Sequence, residues 1–179
     1  MKSFFTFIIL SLATLSVQAS DTLFVKEAQI PILVERQDNI LFYLQLTAKE
    51  AQSLDNLVLR FDEKTDMKTI QSVKLYYGGT EALQNYGKKR FAPTSYLSAF
   101  TPGKTLKANP SYSILKVQVD CPQKEIELKG VEKLYPGVNY FWVSIQMNRD
   151  VPLTTKVSAE IVSASLDGKR ALIEVVSPK

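Results

Sequence analysis

Hydrophobic and polar residues alternate over most of the chain, in short segments that are separated by turn residues. The clearest of these segments are 40–46, 57–62, 70–77, 113–119 and 138–147, and each gathers its larger apolar side chains on one face. A period of two is typical of half-buried strands and not of helices. The sequence therefore predicts an all-β fold, a jelly-roll-like antiparallel β-sandwich of about eight strands in one domain.

Turn and capping signals divide these strands. Gly78-Gly79 predicts a turn at the end of the strand that begins at Ile70, and Asp167-Gly168 predicts a hairpin between the last two strands. Thr47-Ala48-Lys49-Glu50 has the form of a capping box, which predicts a single helical turn running to about Leu54. No other short segment of the chain has a helical period of useful length.

Two residues that occur once each, Trp142 and Cys121, are predicted to be buried. Trp142 lies in the middle of a strand among apolar neighbours, which favours core packing over an exposed sugar platform. A single cysteine cannot form a disulfide within the chain, so Cys121 is expected to act as a small buried hydrophobic residue and not as a reactive thiol.

The first nineteen residues have the features of a secretory signal peptide. Lys2 precedes an apolar stretch from Phe4 to Val17, and Val17-Gln18-Ala19 is a small-residue cleavage pattern. The stretch is shorter than the roughly 20 residues of a membrane span. We therefore expect cleavage after Ala19 and a secreted or periplasmic mature protein that does not stay in the membrane. The expected division is a signal peptide (1–19), a β-sandwich domain (20–176) and the start of a linker (177–179).

The charged residues exclude several classes of function. The formal charge of +4 falls to +3 when Lys2 leaves with the signal peptide, and no long basic run indicates nucleic acid as a partner. The absence of histidine removes Ser-His-Asp and Cys-His catalysis and histidine metal sites. The acidic residues form no catalytic motif, and the run from Asp62 to Asp66 lacks the spacing of a calcium loop, although a calcium site there is the alternative. We expect no cofactor and no metal.

The segment from Thr80 to Pro110 is the first candidate for a binding surface. It is long for a connection in a compact domain, and such connections are often functional. Sugar rings stack on aromatic side chains, and sugar carboxylates bind cationic ones. The segment 86–91 (YGKKRF) places three cations between two aromatic residues, and two further tyrosines are candidate stacking faces. The predicted glycan-binding residues are Tyr86, Lys88, Lys89 and Arg90, with Tyr76 or Tyr135; the alternative is that the lysines are ordinary solvated turn residues.

Four segments, in order, resemble the N-terminal domain of BNR-repeat bacterial sialidases: 21–25 (DTLFV), 73–80 (VKLYYGGT), 87–93 (GKKRFAP) and 134–142 (LYPGVNYFW). The resemblance covers essentially all of residues 21–176. It implies a β-sandwich that is regarded as a carbohydrate-binding module. It also implies that exo-α-sialidase (neuraminidase) activity belongs to a β-propeller that follows this domain in the parent enzymes.

The catalytic motifs of that propeller are absent from this chain. The family's propeller carries an arginine triad, a Tyr-Glu nucleophile pair and repeated S-x-D-x-G-x-x-W motifs; Ser165-Leu166-Asp167-Gly168 has its glycine one place early for such a motif. We therefore expect a non-catalytic glycan-binding module of an exported sialidase. Its expected partners are sialylated or other host-type glycans and the catalytic propeller. The alternative is a structural domain that packs on the propeller or mediates oligomerisation and has no affinity for glycans.

Overall fold

The computed structural model describes residues 21–28, 31–34, 36–80, 114–152 and 155–176. These residues form ten strands and one short 3-10 helix. The strands are β1 (Thr22–Glu27), β2 (Asn39–Ala48), β3 (Gln52–Phe61), β4 (Ile70–Thr80), β5 (Ile114–Asp120), β6 (Glu125–Leu134), β7 (Gly137–Met147), β8 (Ala159–Leu166), β9 (Lys169–Arg170) and β10 (Leu172–Val175), and the 3-10 helix spans Met67–Thr69.

The strands form two sheets that pack face to face. The larger sheet has the order β10-β1-β2-β7-β4-β5, and the smaller has the order β6-β3-β8-β9. All the strand pairs are antiparallel except β1 with β10, which run parallel. The prediction of an all-β antiparallel sandwich is confirmed, with more strands among the described residues than the sequence indicated.

The main core lies between the two sheets and is built from the alternating apolar positions of both. In β7, Phe141, Val143 and Ile145 point into this core, as their period of two predicts. In β3, Leu57, Leu59 and Phe61 do the same from the smaller sheet, while Arg60 between them is exposed. Burying these side chains supplies the main favourable term in folding.

The predicted helical turn after Thr47 is wrong. Strand β2 continues to Ala48, and a short bend at residues 49–51 leads into β3, which begins at Gln52. The bend carries the chain from the larger sheet to the smaller one. Leu54 then lies fully buried in the main core. Tertiary packing of an extended strand overrides the local capping signal here.

The predicted turn at Gly78-Gly79 is also wrong. Strand β4 runs through both glycines to Thr80, and its pairing with β7 shifts register between Tyr77 and Gly79. Gly79 has φ of +88°, in the region that glycine adopts without strain. A bulge and a turn require the same residue type, so the sequence signal does not distinguish them.

Two side chains lie elsewhere than the sequence predicted. Ile40 does not share a face with Phe42, because a register shift between these residues in β2 turns Ile40 to the outer face of the larger sheet. Cys121 is exposed, not buried: it follows β5 with φ of +48°, and its backbone N–H donates to the carbonyl of Gln71 (2.9 Å). The turn between two sheets places this residue at the surface.

The acidic run at 62–66 connects the two sheets and is closed by a lysine. The Lys124 ammonium donates to the backbone carbonyls of Asp62 (2.7 Å), Glu63 (2.8 Å) and Thr65 (2.6 Å). Convergent carbonyl oxygens of this kind are typical ligands of a hard cation. In this structure the cation is the side chain of Lys124.

Candidate functional site

The outer faces of the two sheets differ in chemistry. On the smaller sheet, Arg60 pairs with Glu125 (2.8 Å) and Glu160 (3.6 Å), and Lys129 pairs with Glu127 (2.7 Å). All five side chains are well exposed, so these pairs contribute little to stability. These five charges pair with one another, which is typical of a solvated surface.

The outer face of the larger sheet carries a second apolar cluster. Ile40, Tyr43, Tyr140 and Trp142 are buried there. Tyr76, on the neighbouring strand β4, stacks on Trp142 with ring centroids 3.9 Å apart and planes 3° from parallel. The prediction that Trp142 packs in a core is confirmed, although this cluster is separate from the main one. The indole uses one of its faces against Tyr76 and is not an exposed sugar platform.

A polar network adjoins this aromatic cluster and is centred on the carboxylate of Asp38. Its Oδ1 accepts hydrogen bonds from the hydroxyls of Tyr76 (2.9 Å) and Ser144 (2.8 Å). The ammonium of Lys74 lies 3.5 Å from the same oxygen, and both side chains of this ion pair are largely buried. Burial raises the pKa of Tyr76, and its hydrogen bond to Asp38 and the negative charge there raise it further. The phenol therefore stays a neutral donor to Asp38 at neutral pH.

Lys74 links the network to two glutamines. Its Nζ donates to the backbone carbonyl of Gln37 (3.0 Å) and to Oε1 of Gln146 (3.1 Å). Lysine is only a donor, so this contact fixes which end of the Gln146 amide faces it. The Nε2 donors of Gln146 are directed away from Lys74.

An open cleft of about 710 Å³ lies beside this network. Most of the described residues that line it are polar, and they combine amide groups with guanidinium groups. One wall comes from the segment before β2, and the other comes from the end of β7 and the residues after it. The lining residues are Val34, Arg36, Gln37, Gln71, Gln146, Met147, Asn148 and Arg149.

Asparagine side chains hold both walls of the cleft in place. Asn39 accepts from the backbone N–H of Leu33 (2.7 Å) and donates to the carbonyl of Leu33 (3.0 Å), which closes the loop that carries Arg36. On the other wall, the Asn148 side chain donates to the carbonyl of Lys68 (2.7 Å), and its backbone N–H donates to the carbonyl of Thr69 (2.8 Å). The backbone beside each arginine is therefore fixed by hydrogen bonds.

Most of the chain matches one protein family. The model of a family described as the N-terminal domain of BNR-repeat neuraminidase matches residues 20–170. This chain belongs to that family. The resemblance that the four sequence segments indicated is confirmed.

Two relatives are much longer than the part that this chain matches. The chain is 62% identical over 161 residues to a protein named sialidase from Bacteroides fragilis (strain YCH46), and the match covers 90% of this chain and 30% of that protein. The solved structure of Hadza microbial sialidase Hz136 is similar with a TM-score of 0.69 and 35% identity, over 86% of this chain and 30% of that one. The chain thus spans about a third of the length of these relatives.

The residues predicted to bind glycans are not gathered in one place by the described part of this neuraminidase N-terminal domain. Tyr76 lies beside the cleft, where its hydroxyl contacts Asp38. Tyr135 is exposed but lies before Gly137, at the opposite end of β7 from the cleft. That strand has 11 residues, and at about 3.3 Å per residue its ends lie far apart. The remaining predicted residues, Tyr86, Lys88, Lys89 and Arg90, lie outside the described residues.

The two arginines of the cleft were not predicted from the sequence. Arg36 and Arg149 are distant in the chain, and neither belongs to a recognisable motif. They come together because β2 pairs with β7 so that Asn39 faces Ile145. The sequence around each arginine has the pattern of an ordinary polar loop. Only the pairing register of β2 with β7 therefore indicates that the two arginines belong to one site.

The residues that the structure describes contain no group of three or more Cys, Asp or Glu side chains that could hold a metal ion. In the same residues, no helix is long and apolar enough to cross a membrane.

Proposed function

We propose that this domain is the non-catalytic glycan-binding module of an exported sialidase. The observation that carries the proposal is the cleft of about 710 Å³, whose walls present amide and guanidinium groups on hydrogen-bonded backbone. Sugar hydroxyls both donate and accept hydrogen bonds, and planar amides can do the same. A site with several such groups suits a sugar better than it suits a purely apolar ligand.

The relatives supply the context for this proposal. Both carry the word sialidase in their names, and the chain corresponds to less than a third of each. We assign sialidase chemistry, the release of terminal sialic acid, to a catalytic propeller in the rest of such an enzyme. A tethered binding module would raise the local concentration of glycan near that catalytic domain without any new catalytic group.

Two parts of the proposal rest on the sequence alone. The apolar segment at residues 1–19 supports export through a signal peptide and a secreted or periplasmic location. Tyr86, Lys88, Lys89 and Arg90 remain predicted glycan contacts, because their aromatic and cationic side chains complement an acidic sugar.

The test is a binding measurement combined with an activity assay on the same purified chain. Isothermal titration with a panel of sialylated and desialylated glycans should show binding, and a fluorogenic sialoside should show no turnover. Binding without turnover supports the module. Turnover by the chain alone, or no binding to any glycan of the panel, contradicts it.

A second candidate, a packing domain without glycan affinity, is favoured by the two edges of the larger sheet. On β5, the side chains of Ile114 and Leu115 are 61% and 45% exposed, and on β10 those of Leu172 and Val175 are 56% and 68% exposed. Apolar residues on unpaired edge strands are suited to contact another chain or domain. This candidate predicts self-association, which Leu172→Lys should weaken, with no glycan binding; sedimentation velocity distinguishes it from the glycan-binding module.

A further inference from the structure

The charges of the cleft's described lining residues bear on which sugars it takes: these residues include two arginines and neither an aspartate nor a glutamate. We propose that Arg36 and Arg149 together bind a sugar carboxylate, an inference that rests on the proposed function. The module then selects glycans that end in an acidic sugar over neutral glycans of the same size. A sialic acid and a uronic acid share this chemistry.

The two guanidinium groups are available for a ligand. Among the ion pairs between residues that the structure describes, none uses Arg36 or Arg149. By contrast, Arg60 on the smaller sheet is already paired with two glutamates. A guanidinium group offers a planar fork of N–H donors that matches the two oxygens of a carboxylate.

The buried charges beside the cleft do not cancel the positive charge of its two arginines. The nearest buried charges are those of Lys74 and Asp38, which form an ion pair and are neutral as a unit. The positive charge of Arg36 also reaches the buried phenol of Tyr43, whose pKa it lowers against the larger opposite effect of burial. The lining residues that the structure describes therefore carry a net positive charge from the two arginines at neutral pH.

The neutral lining residues fit the remainder of an acidic sugar. Gln37, Gln71, Gln146 and Asn148 surround the two arginines with amide groups. The amide of Gln146 is held in one orientation by Lys74, so part of the site is organised before a ligand binds. Rigid donors reduce the entropy that is lost on binding. The arginines would thus select for charge, while the amides take the hydroxyls.

The experiment is calorimetric titration of the full chain and its variants with three probes: sialyllactose, digalacturonate and lactose. The variants are Arg36→Gln, Arg149→Gln, the double variant and Arg36→Lys, which keeps the charge but loses the fork. Arg170→Gln, at an exposed position on β9 of the other sheet, is the matched control for loss of one positive charge. Urea unfolding of each variant checks that it is folded.

We expect the unmodified chain to bind sialyllactose more tightly than lactose. Each glutamine variant should lose about tenfold in affinity for sialyllactose, which is the scale of one charge-assisted contact. Arg36→Lys should lose less, Arg170→Gln should lose nothing, and affinity for lactose should not change. Binding of sialyllactose alone assigns the site to sialic acid, and binding of digalacturonate as well assigns it to sugar carboxylates in general; both support the inference.

Two other results separate this inference from the function on which it rests. Equal affinity for lactose and sialyllactose, or glutamine variants that bind sialyllactose like the unmodified chain, would overturn the arginine assignment and leave a glycan-binding module. Failure to bind any of the three probes, together with failure across the wider glycan panel, would overturn the module itself.

Discussion

Lys74 and Asp38 form a largely buried ion pair on the outer face of the larger sheet, where each charge has further polar partners. Asp38 accepts hydrogen bonds from the hydroxyls of Tyr76 and Ser144 in addition to its ion pair with Lys74. Removing a charge from water is costly, and the pair is tolerated because hydrogen bonds replace the lost hydration. Breaking such a pair from one side leaves the other charge buried, whereas removing both charges does not.

We therefore expect Lys74→Met to reduce the free energy of unfolding by about 3 kcal/mol. The double variant with Asp38→Asn should lose at least about 1 kcal/mol less than the sum of the two single changes, because the two groups are in contact. Urea unfolding, followed by the fluorescence of the single tryptophan, measures all four proteins. Lys129→Met is the control, since its exposed ion pair with Glu127 is worth little. Additive losses would show that the pair does not act as a unit.

Tyr43 gives the molecule a defined response to alkaline pH. Burial raises the pKa of Tyr43 to about 12, and the nearby Arg36 opposes this rise. The folded protein thus keeps the phenol proton at pH values where the unfolded chain, with the ordinary pKa of 10.0, releases it. The stabilisation from this group is complete below about pH 10 and is lost as the pH rises through about 12.

The variant Tyr43→Phe should therefore lose stability less steeply than the unmodified chain as the pH rises from about 9.5 to about 11.5. Urea midpoints across that range give the slope, and Tyr135→Phe, at an exposed position, should follow the unmodified chain. If the urea midpoints of Tyr43→Phe and of the unmodified chain fall equally with pH, the Tyr43 phenol has the same pKa in the folded and the unfolded chain.

At the scale of elements, the sequence predicted the turn at Asp167-Gly168 correctly but not the strand that follows it. The hairpin partner is the two-residue strand β9, and the last strand, β10, lies in the larger sheet, parallel to β1. Asp167 and Gly168 join β8 to β9 with φ values of +45° and +74°, the conformation of a two-residue hairpin turn. The turn is tied to the rest of the sheet, since the Asp167 carboxylate accepts from the backbone N–H of Ser53 (2.9 Å). Here the local signal and the tertiary structure agree.

Replacing Gly168 with alanine should cost about 1 kcal/mol of unfolding free energy, because a side chain is disfavoured at this φ even though a Cβ would meet no atom within 4 Å. Gly168→Asn should cost less, since asparagine tolerates the left-handed region. Thermal unfolding of the two variants makes the comparison. Equal losses would indicate that something other than backbone conformation sets the cost.

Lys124 is expected to stabilise the 62–66 connection in place of a metal. Lys124→Met removes the cation from three backbone carbonyls and should lower the free energy of unfolding by about 1 kcal/mol. Lys64→Met, in the same connection but without these contacts, is the control. Calcium or a chelator should leave the unfolding midpoint of the unmodified chain unchanged. A rise of the midpoint with calcium would instead support the calcium alternative for this run.

At the scale of the whole molecule, the fold could be predicted from the sequence because each strand carries its own period of two. The family could be predicted because several segments resemble the same sialidase domain in the same order. The errors arose where one signal has two structural meanings, as with the glycine pair at 78–79, which forms a bulge. The cleft could not be predicted, because the register of β2 on β7 is what places Arg36 and Arg149 at the same end of the sheet, where both line the cleft.

The outer faces of the two sheets differ, and this difference supports placing the proposed binding site on the larger sheet. The outer face of the smaller sheet pairs its charges internally, whereas the larger sheet carries the aromatic cluster, the buried polar network and the cleft. A rigid, buried network beside an open polar cleft is a suitable support for a binding site. The exposed apolar edges at β5 and β10 are separate from it and suit contact with other domains.

The most direct test of this account is a map of backbone amide chemical shifts on titration of the chain with sialyllactose. Glycan binding in the cleft predicts shifts that saturate and concentrate at its lining residues, which are Val34, Arg36, Gln37, Gln71 and residues 146–149. Shifts at 86–90 in addition would bring the predicted basic segment into the same site. Saturating shifts confined to Tyr135 and the turn around it, or the absence of any saturating shift, would contradict the assignment of glycan binding to the cleft.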